Sequence, residues 1–154
     1  MINEFDMSRI DIPYGVLHDQ CLSNVNCKNN NMIFSFDIEI YPQNYSSGFY
    51  KQYETFKHCE MSVNMCDESG NEFILDTLNL HGKIRGLSLS REEFLEAINS
   101  GIKATFVECY VTHNAITIEL WVDFYNAKGK CKKYKKFNNC YISLYATKIK
   151  WTWY

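Results

Sequence analysis

Residues 115–125 of the chain read AITIELWVDFY. Apolar and polar side chains alternate along this stretch with a period of two, the pattern of a strand that has one buried face. The inward set is predicted to be Ile116, Ile118, Leu120, Val122 and Phe124. The outward set is predicted to be Thr117, Glu119, Trp121, Asp123 and Tyr125. The stretch therefore predicts a half-buried β-strand whose exposed side carries carboxylates and large aromatic rings.

The same period of two recurs on both sides of this strand. In residues 32–41, one side carries Phe34, Phe36, Ile38 and Ile40, and the other carries Ser35, Asp37 and Glu39. Strand-like segments are also predicted at 17–27, 59–65, 72–78, 103–111, 130–137 and 139–153. Residues 42–56, rich in Tyr, Ser and Asn, predict a loop. The apolar positions of the last strand change parity between Leu144 and Ile149, which predicts a bulge near 145–148.

One helix is predicted between Leu89 and Gly101. Ser90 can cap the first turn, and Glu93, three residues later, completes a capping box. Gly101 can adopt the positive φ with which many helices end. The apolar stripe consists of Phe94, Leu95 and Ile98. We expect a helix near 91–100 that packs one face against the sheet.

The composition is that of a globular protein, with 46% hydrophobic and 22% charged residues, and its 16% aromatic content favours sheets. We expect one domain, 1–154, of mainly β class. Its architecture is predicted to be an antiparallel β-sandwich or a partly open barrel of about seven or eight strands with one α-helix near 91–100. The sequence has no run of eighteen apolar residues, so no membrane-spanning helix is predicted. The first residues do not have the pattern of a secretory signal. We therefore expect a cytoplasmic location.

No catalytic or cofactor motif occurs in the sequence. His18-Asp19 is like the metal-binding pair of phosphohydrolases, but those enzymes have helical folds and need further ligands; the other histidines are scattered. Seven cysteines, none in a CxxC pair, are interpreted as reduced thiols used as small apolar side chains. We expect no metal, no cofactor and no enzymatic activity. A cysteine-dependent enzyme remains a third possibility, because a Cys-His pair can meet in space.

Charge is distributed unevenly along the chain. Residues 1–127 hold all 18 acidic and eight basic residues, a net charge of −10, whereas 128–154 hold eight basic residues and no acidic ones. The basic run 128–136 includes Lys132, Lys133, Tyr134, Lys135 and Lys136. These residues could bind single-stranded nucleic acid on a strand, or could simply form a solvated edge strand. We favour the second interpretation, because the rest of the chain is acidic and would repel nucleic acid.

The exposed face of 115–125 provides the leading candidate site. Glu119, Trp121 and Asp123 lie in line, with Tyr125 beyond them, and a large aromatic flanked by acids suits the docking of a basic protein partner. The alternative is that the helix or another strand covers Trp121. Asp37 and Glu39 form a second acidic face that we include in this partner-binding set. Their other possible role, as paired glycosidase acids, is less favoured than a solvated surface.

Taken end to end, the chain resembles a group of small bacterial proteins, some of which are immunity proteins of toxin systems. The shared features are Leu17-His18-Asp19, the amphipathic strand Met32–Tyr41, the helix start Ser-Arg-Glu-Glu-Phe at 90–94, and an aromatic C-terminal strand. The resemblance implies a cytosolic, non-enzymatic protein that blocks a cognate toxin, often a basic nuclease, through an acidic surface. It assigns no binding residues, so the face named above depends on periodicity alone.

Overall fold

A single antiparallel sheet organises the computed structural model, which describes residues 2–6, 14–39, 55–66, 70–77, 86–112 and 114–154. Within these residues the strands are β1 (Ile2–Asp6), β2 (Cys21–Lys28), β3 (Asn31–Asp37), β4 (His58–Met65), β5 (Glu72–Asp76), β6 (Leu87–Leu89), β7 (Lys103–Val111), β8 (Ala115–Asp123) and β9 (Asn139–Trp153). The helices are α1 (Tyr14–Leu17), α2 (Arg91–Ile98) and a 3-10 helix (Gly129–Tyr134). No helix in this part of the chain is long and apolar enough to cross a bilayer.

The sheet curls so that β9, the last strand of the chain, pairs with β4 at the edge of the strand order. The strand order is β4-β3-β2-β7-β8-β9-β5-β6, and β9 pairs in addition with β4 and β1. The first half of β9 pairs with β8, from Trp121↔Asn139 to Ala115↔Tyr145. Its second half pairs with β4, from Met65↔Ala146 to Cys59↔Trp153. The predicted mainly β, antiparallel fold with one helix near 91–100 is therefore confirmed. Of the two predicted architectures, the partly open barrel is the nearer, since the strands form a single, partly closed sheet.

A bulge in β9 lets one strand serve both halves of the barrel. The register with β4 shifts from Met65↔Ala146 to Asn64↔Lys148, so Thr147 has no partner on β4. As a result Thr147 and Lys148 are both exposed, although the residues on either side alternate. A bulge bends the strand and increases its twist. The predicted phase change near 145–148 is confirmed.

The barrel is only partly closed because β2 and β7 separate. They are in register at Cys21↔Thr105 alone, extended by backbone bonds around Phe106. Further along β2, the side chain of Asn99, at the end of α2, replaces the missing strand. The Val25 N–H donates to Asn99 Oδ1 at 3.0 Å, and Asn99 Nδ2 donates to the Val25 carbonyl at 2.7 Å. One amide thus satisfies both backbone groups that a neighbouring strand would otherwise bind.

Two other amides complete the ladder where strands stop. Gln20, which is buried, donates from Nε2 to the Glu39 carbonyl at 3.1 Å and accepts from the Glu39 N–H at 2.7 Å. Asn71 lies between β4 and β5 along β9, where its Oδ1 accepts from the Tyr145 N–H at 2.9 Å. Primary amides can do this because each carries an acceptor and two donors.

Helix α2 forms as predicted. Ser90 Oγ accepts from the Glu93 N–H at 3.2 Å, and Glu93 Oε2 accepts from the Ser90 N–H at 3.0 Å, so the capping box is complete. Gly101 has a φ of +83° just beyond the helix. The ring of Phe94 stacks on Phe73 of β5 at 4.6 Å between centroids. The helix therefore packs onto the sheet through the apolar face that the sequence indicates.

The barrel interior is filled with the inward residues predicted from the period of two. Every predicted inward residue of 115–125 is at most 1% exposed, and Phe34 and Phe36 are fully buried. Phe36 and Phe106 meet edge to face at 5.7 Å across the interior. Trp151 is also fully buried, although its Nε1 has no hydrogen-bond partner. The buried apolar residues form one continuous cluster.

Several predicted strands need correction. The strand predicted over 130–137 is wrong, since residues 129–134 form a 3-10 helix with Cys131 and Tyr134 turned inward. The strand predicted over 17–27 begins only at Cys21, because Leu17 ends α1. Strands β1 and β6 were not predicted. Most of the predicted loop 42–56 lies outside the described residues.

Replacing the Asn99 amide tests how far it stabilises the barrel. We expect Asn99→Ala to lower the free energy of unfolding by about 1 kcal/mol, because two partly exposed hydrogen bonds are lost. Urea unfolding followed by circular dichroism measures this. The control is Asn26→Ala, which changes an exposed residue of β2, the strand that Asn99 binds. It should alter the free energy of unfolding much less. Equal effects of the two changes would show that the Asn99 bonds to β2 contribute nothing.

Candidate functional site

The outward side of β8 is open to solvent. Trp121 is 42% exposed and Tyr125 is 75% exposed, whereas Glu119 is half-buried between its neighbours. The predicted alternation of inward and outward residues is therefore confirmed. Within the described residues, neither the helix nor another strand covers Trp121. A large aromatic ring is thus available on a rigid strand, beside a carboxylate.

Strand β9 adds two tyrosines to the same surface. Tyr141 is in register with Glu119, and Tyr145, 49% exposed, is in register with Ala115. The ring of Tyr145 lies directly over Gly70: a Cβ at Gly70 would be 2.5 Å from Tyr145 Cε2. Gly70 is therefore required for this ring position. Strand β9 therefore places aromatic rings beside the middle and the start of β8.

A bulge in β7 supplies the remaining residues. The register with β8 passes from Phe106↔Leu120 to Glu108↔Glu119, so Val107 is the extra residue. Without this insertion, Val107 would stand opposite Glu119. With it, Glu108 and Tyr110 are on the outward side, and Tyr110 is 54% exposed. We name the resulting surface the acidic aromatic face; it comprises Glu108, Tyr110, Glu119, Trp121, Tyr141 and Tyr145.

Each glutamate of this face accepts a hydrogen bond from a tyrosine. Tyr110 Oη donates to Glu108 Oε2 at 2.6 Å, and Tyr141 Oη donates to Glu119 Oε1 at 3.3 Å. The hydrogen bond to Glu108 raises the pKa of Tyr110, with Glu119 adding to the effect. Burial and the nearby Glu119 raise the pKa of Tyr141. Both phenols therefore stay protonated, as donors, in the negative potential of the two carboxylates.

Two predicted partner-binding residues, Asp123 at the end of β8 and Tyr125 in the turn beyond it, have local bonding roles as well. Asp123 Oδ1 accepts from the Tyr125 N–H at 2.9 Å, which closes the turn after the strand. Asp123 is also in register with Lys103 of β7. The ring of Tyr125 lies under Lys135 Nζ, 5.5 Å from its centroid. Trp121 and Glu119 are therefore the centre of the predicted set, and Asp123 and Tyr125 are its margin.

Asp37 and Glu39 lie elsewhere on the barrel. Strand β3 is separated from β8 by β2 and β7. Asp37 is in register with His58 on β4, and His58 Nδ1 lies 3.6 Å from Asp37 Oδ1. Glu39 lies beyond the end of β3, where its backbone binds Gln20. The structure does not bring these two acids together with Glu119 and Trp121.

The basic run is arranged around a 3-10 helix that packs on the end of α2. Lys130 Nζ forms an ion pair with Glu96 of α2. Tyr134 is 3% exposed, and its ring packs against Phe124 at 5.6 Å between centroids. Its ring is therefore not on the surface, where a base could stack on it. The exposed residues of the run include Lys132, Lys133, Lys135 and Lys136.

The thiols and histidines do not form a nucleophilic pair among the described residues. Burial raises the pKa of the Cys59 and Cys109 thiols, and raises that of Cys140 to about 12. The exposed Cys21 stands in register with Asp37, which in turn is in register with His58. The carboxylate thus lies between the thiol and the imidazole, whereas a catalytic histidine would have to lie beside the thiol. No group of three potential metal ligands occurs in this part of the chain.

Sequence reasoning missed Glu108, Tyr110, Tyr141 and Tyr145. The two β9 tyrosines share the outward parity of that strand and could have been found from it. Glu108 and Tyr110 depend on the bulge, whose signal is the change of parity between Phe106 and Cys109, both buried. That signal alone does not reveal which strand lies beside β7.

The opposed glutamates predict an unusual stability effect. We expect Glu108→Gln to raise Tm by about 1–2 °C at low salt, because like charges directly opposite on neighbouring strands are destabilising. Differential scanning calorimetry measures the change, which should shrink as salt screens the repulsion. Glu60→Gln is the matched control, since Glu60 also accepts from a tyrosine, Tyr154, but has Thr152 opposite. A lower Tm for Glu108→Gln than for this control would contradict the prediction.

The tyrosines predict a pH dependence at the alkaline end. Because the folded pKa of Tyr110 is raised above its unfolded value near 10, its contribution to stability is present below about pH 10 and is lost as pH rises through the folded value. We expect Glu108→Gln to move the titration of Tyr110 to lower pH, measured by ¹³C NMR of tyrosine Cζ and assigned with Tyr110→Phe. Tyr154, whose nearest carboxylate is Glu60, should titrate unchanged. If Tyr110 titrates at the same pH in Glu108→Gln as in the wild type, Glu108 does not raise its pKa.

No family model, curated protein or solved structure matches this chain. The resemblance to immunity proteins therefore stays a hypothesis carried by the short motifs quoted above. What the acidic aromatic face does has to be inferred from its own residues: the exposed rings, the paired carboxylates and the hydrogen bonds between them.

Proposed function

We propose that this protein is a non-enzymatic, cytoplasmic protein-binding module of the immunity type, which neutralises a basic toxin, such as a nuclease, by occupying its surface. Binding takes place on the acidic aromatic face and needs no cofactor. The observation that carries the proposal is the combination on one sheet surface of three exposed rings, Tyr110, Trp121 and Tyr145, with the carboxylates of Glu108 and Glu119.

The exposed rings suit a binding surface better than a bare structural role. Tryptophan and tyrosine are the residues that contribute most to protein interfaces, because they bury a large area at a small entropic cost. Trp121 is the only one of the three tryptophans that is exposed, since Trp151 and Trp153 are buried in the core. The ring stands on the middle of three paired strands. An anchor on such a support loses little freedom on binding.

The charge around the rings favours a basic partner. Beyond Glu108 and Glu119, strand β5 adds Glu72 and Asp76, which are in register with Ser143 and Asn139 of β9. One basic residue, Lys103 of β7, borders this surface. Its charge is opposed by Asp123, which is in register with it on β8. A net negative surface speeds association with a positive partner and repels acidic competitors.

Inhibition by occlusion follows from the rigidity of the surface. The face is formed by the central strands of the barrel, with buried residues beneath every outward side chain of β8. A basic nuclease binds its substrate through a positively charged surface, and an acidic face can cover that surface. The single-stranded nucleic-acid alternative stays a prediction of lower rank. Its lysines are exposed, but Tyr134, its only aromatic residue, is buried.

A capture experiment with matched variants tests the proposal. The tagged wild-type chain, the double variant Glu119→Ala/Trp121→Ala and the control Glu60→Ala/Tyr154→Ala are incubated with a lysate of the native host. We expect the wild type and the control to retain the same basic protein, and the double variant to bind it at least about 30-fold more weakly, the loss typical of a hot spot. Calorimetry with the purified partner gives the affinities.

Asp123 is left unchanged in these variants because its carboxylate closes the turn after β8. Co-expression provides the functional readout: the captured protein should arrest growth when expressed alone, and the wild-type chain should restore growth. Equal affinity of the double variant would remove the site. A captured partner without toxicity would remove the immunity role. A DNA oligonucleotide that binds at low salt and is lost on Lys132→Ala/Lys135→Ala would favour the alternative.

A further inference from the structure

The Glu108–Glu119 pair is the exception to the way charges are arranged in this sheet. Between β7 and β8, Lys103↔Asp123 places opposite charges in register. Among the registered pairs of the described strands, only Glu108↔Glu119 places like charges opposite each other. Side chains directly opposite have Cβ atoms about 5 Å apart, and like charges at such positions are expected to destabilise the pairing of the strands.

The bulge at Val107 makes this repulsion a specific feature of β7. A regular strand would place Val107 opposite Glu119 and would create no charge conflict. The insertion instead aligns a second glutamate with the first. Bulges are common where a strand has to redirect a side chain for binding.

The hydrogen-bond acceptor positions of the two carboxylates are only partly occupied. Glu108 accepts from Tyr110 through Oε2, and Glu119 accepts from Tyr141 through Oε1. A carboxylate offers about four acceptor positions, so each glutamate can accept further donors. No lysine, arginine or histidine forms an ion pair with either glutamate among the described residues. The pair can therefore take up a cation from outside.

The tyrosines define which cation fits. Tyr141 borders the pair on the β9 side, and Tyr110 lies two residues further along β7 and is 54% exposed. A guanidinium is planar, carries five donors and stacks on aromatic rings, so it can bridge two carboxylates while lying against a tyrosine. An ammonium is a compact, strongly hydrated point charge that makes no such stacked, bidentate contact.

We propose that the Glu108–Glu119 pair, bordered by Tyr110 and Tyr141, is the subsite for an arginine side chain of the protein partner. This inference rests on the proposed function and adds the chemical identity of the group that the face recognises. The guanidinium cancels the cross-strand repulsion on binding, while Trp121, two residues along β8, packs beside the arginine-bearing segment. The site therefore selects arginine over lysine.

Two blocked pentapeptides, Gly-Gly-Arg-Gly-Gly and Gly-Gly-Lys-Gly-Gly, are the probes for this subsite. They are titrated into ¹⁵N-labelled protein, and amide shifts of residues 108, 110, 119 and 141 are followed together with the fluorescence of Trp121. We expect the arginine peptide to bind about fivefold or more tightly than the lysine peptide, because it alone can make bidentate, stacked contacts. Glu108→Gln and Glu119→Gln should each abolish this preference.

The control is Glu60→Gln, which removes the same charge from a tyrosine-bonded glutamate that has no second carboxylate opposite. It should leave the arginine preference unchanged. Equal binding of the two peptides, or an arginine preference that survives Glu108→Gln, would overturn the inference. If that happens while capture of the basic partner still depends on Trp121, only the arginine subsite is lost. If the arginine preference holds but capture is insensitive to Glu119→Ala/Trp121→Ala, only the proposed function is lost.

Discussion

The structure depends on the pairing of one long strand, β9, with four others. Its first half binds β8 and β5, and its second half binds β4 and β1. The bulge at Thr147 makes this possible, because the bend redirects the strand while its apolar residues stay on the inside. If β9 were straight and regular, Ile149, Trp151 and Trp153 would point outward and the barrel would not close.

A β-bulge also determines which residues meet at the candidate site. A bulge in β9 closes the barrel, and a bulge in β7 aligns Glu108 with Glu119 on its outer surface. Where the ladder is interrupted, amide side chains take over its hydrogen bonds, as Asn99 does for Val25 and Gln20 does for Glu39. Backbone groups are thereby satisfied without further strands. The outer face of the central strands remains available for a partner.

The energetic conflict in the site supports binding rather than scaffolding. We expect two carboxylates in direct register to lower the stability of the free protein, and a partner that brings a cation to remove that cost. The hydrogen bond to Glu108 raises the pKa of Tyr110, and burial together with the nearby Glu119 raises the pKa of Tyr141. The separation of charge along the sequence is less direct evidence. The basic run packs on α2, where Lys130 pairs with Glu96.

The class of the fold, the helix and the alternation of β8 could be predicted from the sequence, because capping residues and a period of two act over a few neighbouring residues. The same period of two predicted that Trp121 and Glu119 share one face. The partial closure of the sheet, the 3-10 helix within residues 128–136 and the separation of Asp37 from Glu119 became known only from the three-dimensional fold. The Glu108–Glu119 pair belongs to this second group. Register across strands depends on bulges and on long-range pairing, and a local pattern does not contain the identity of the neighbouring strand.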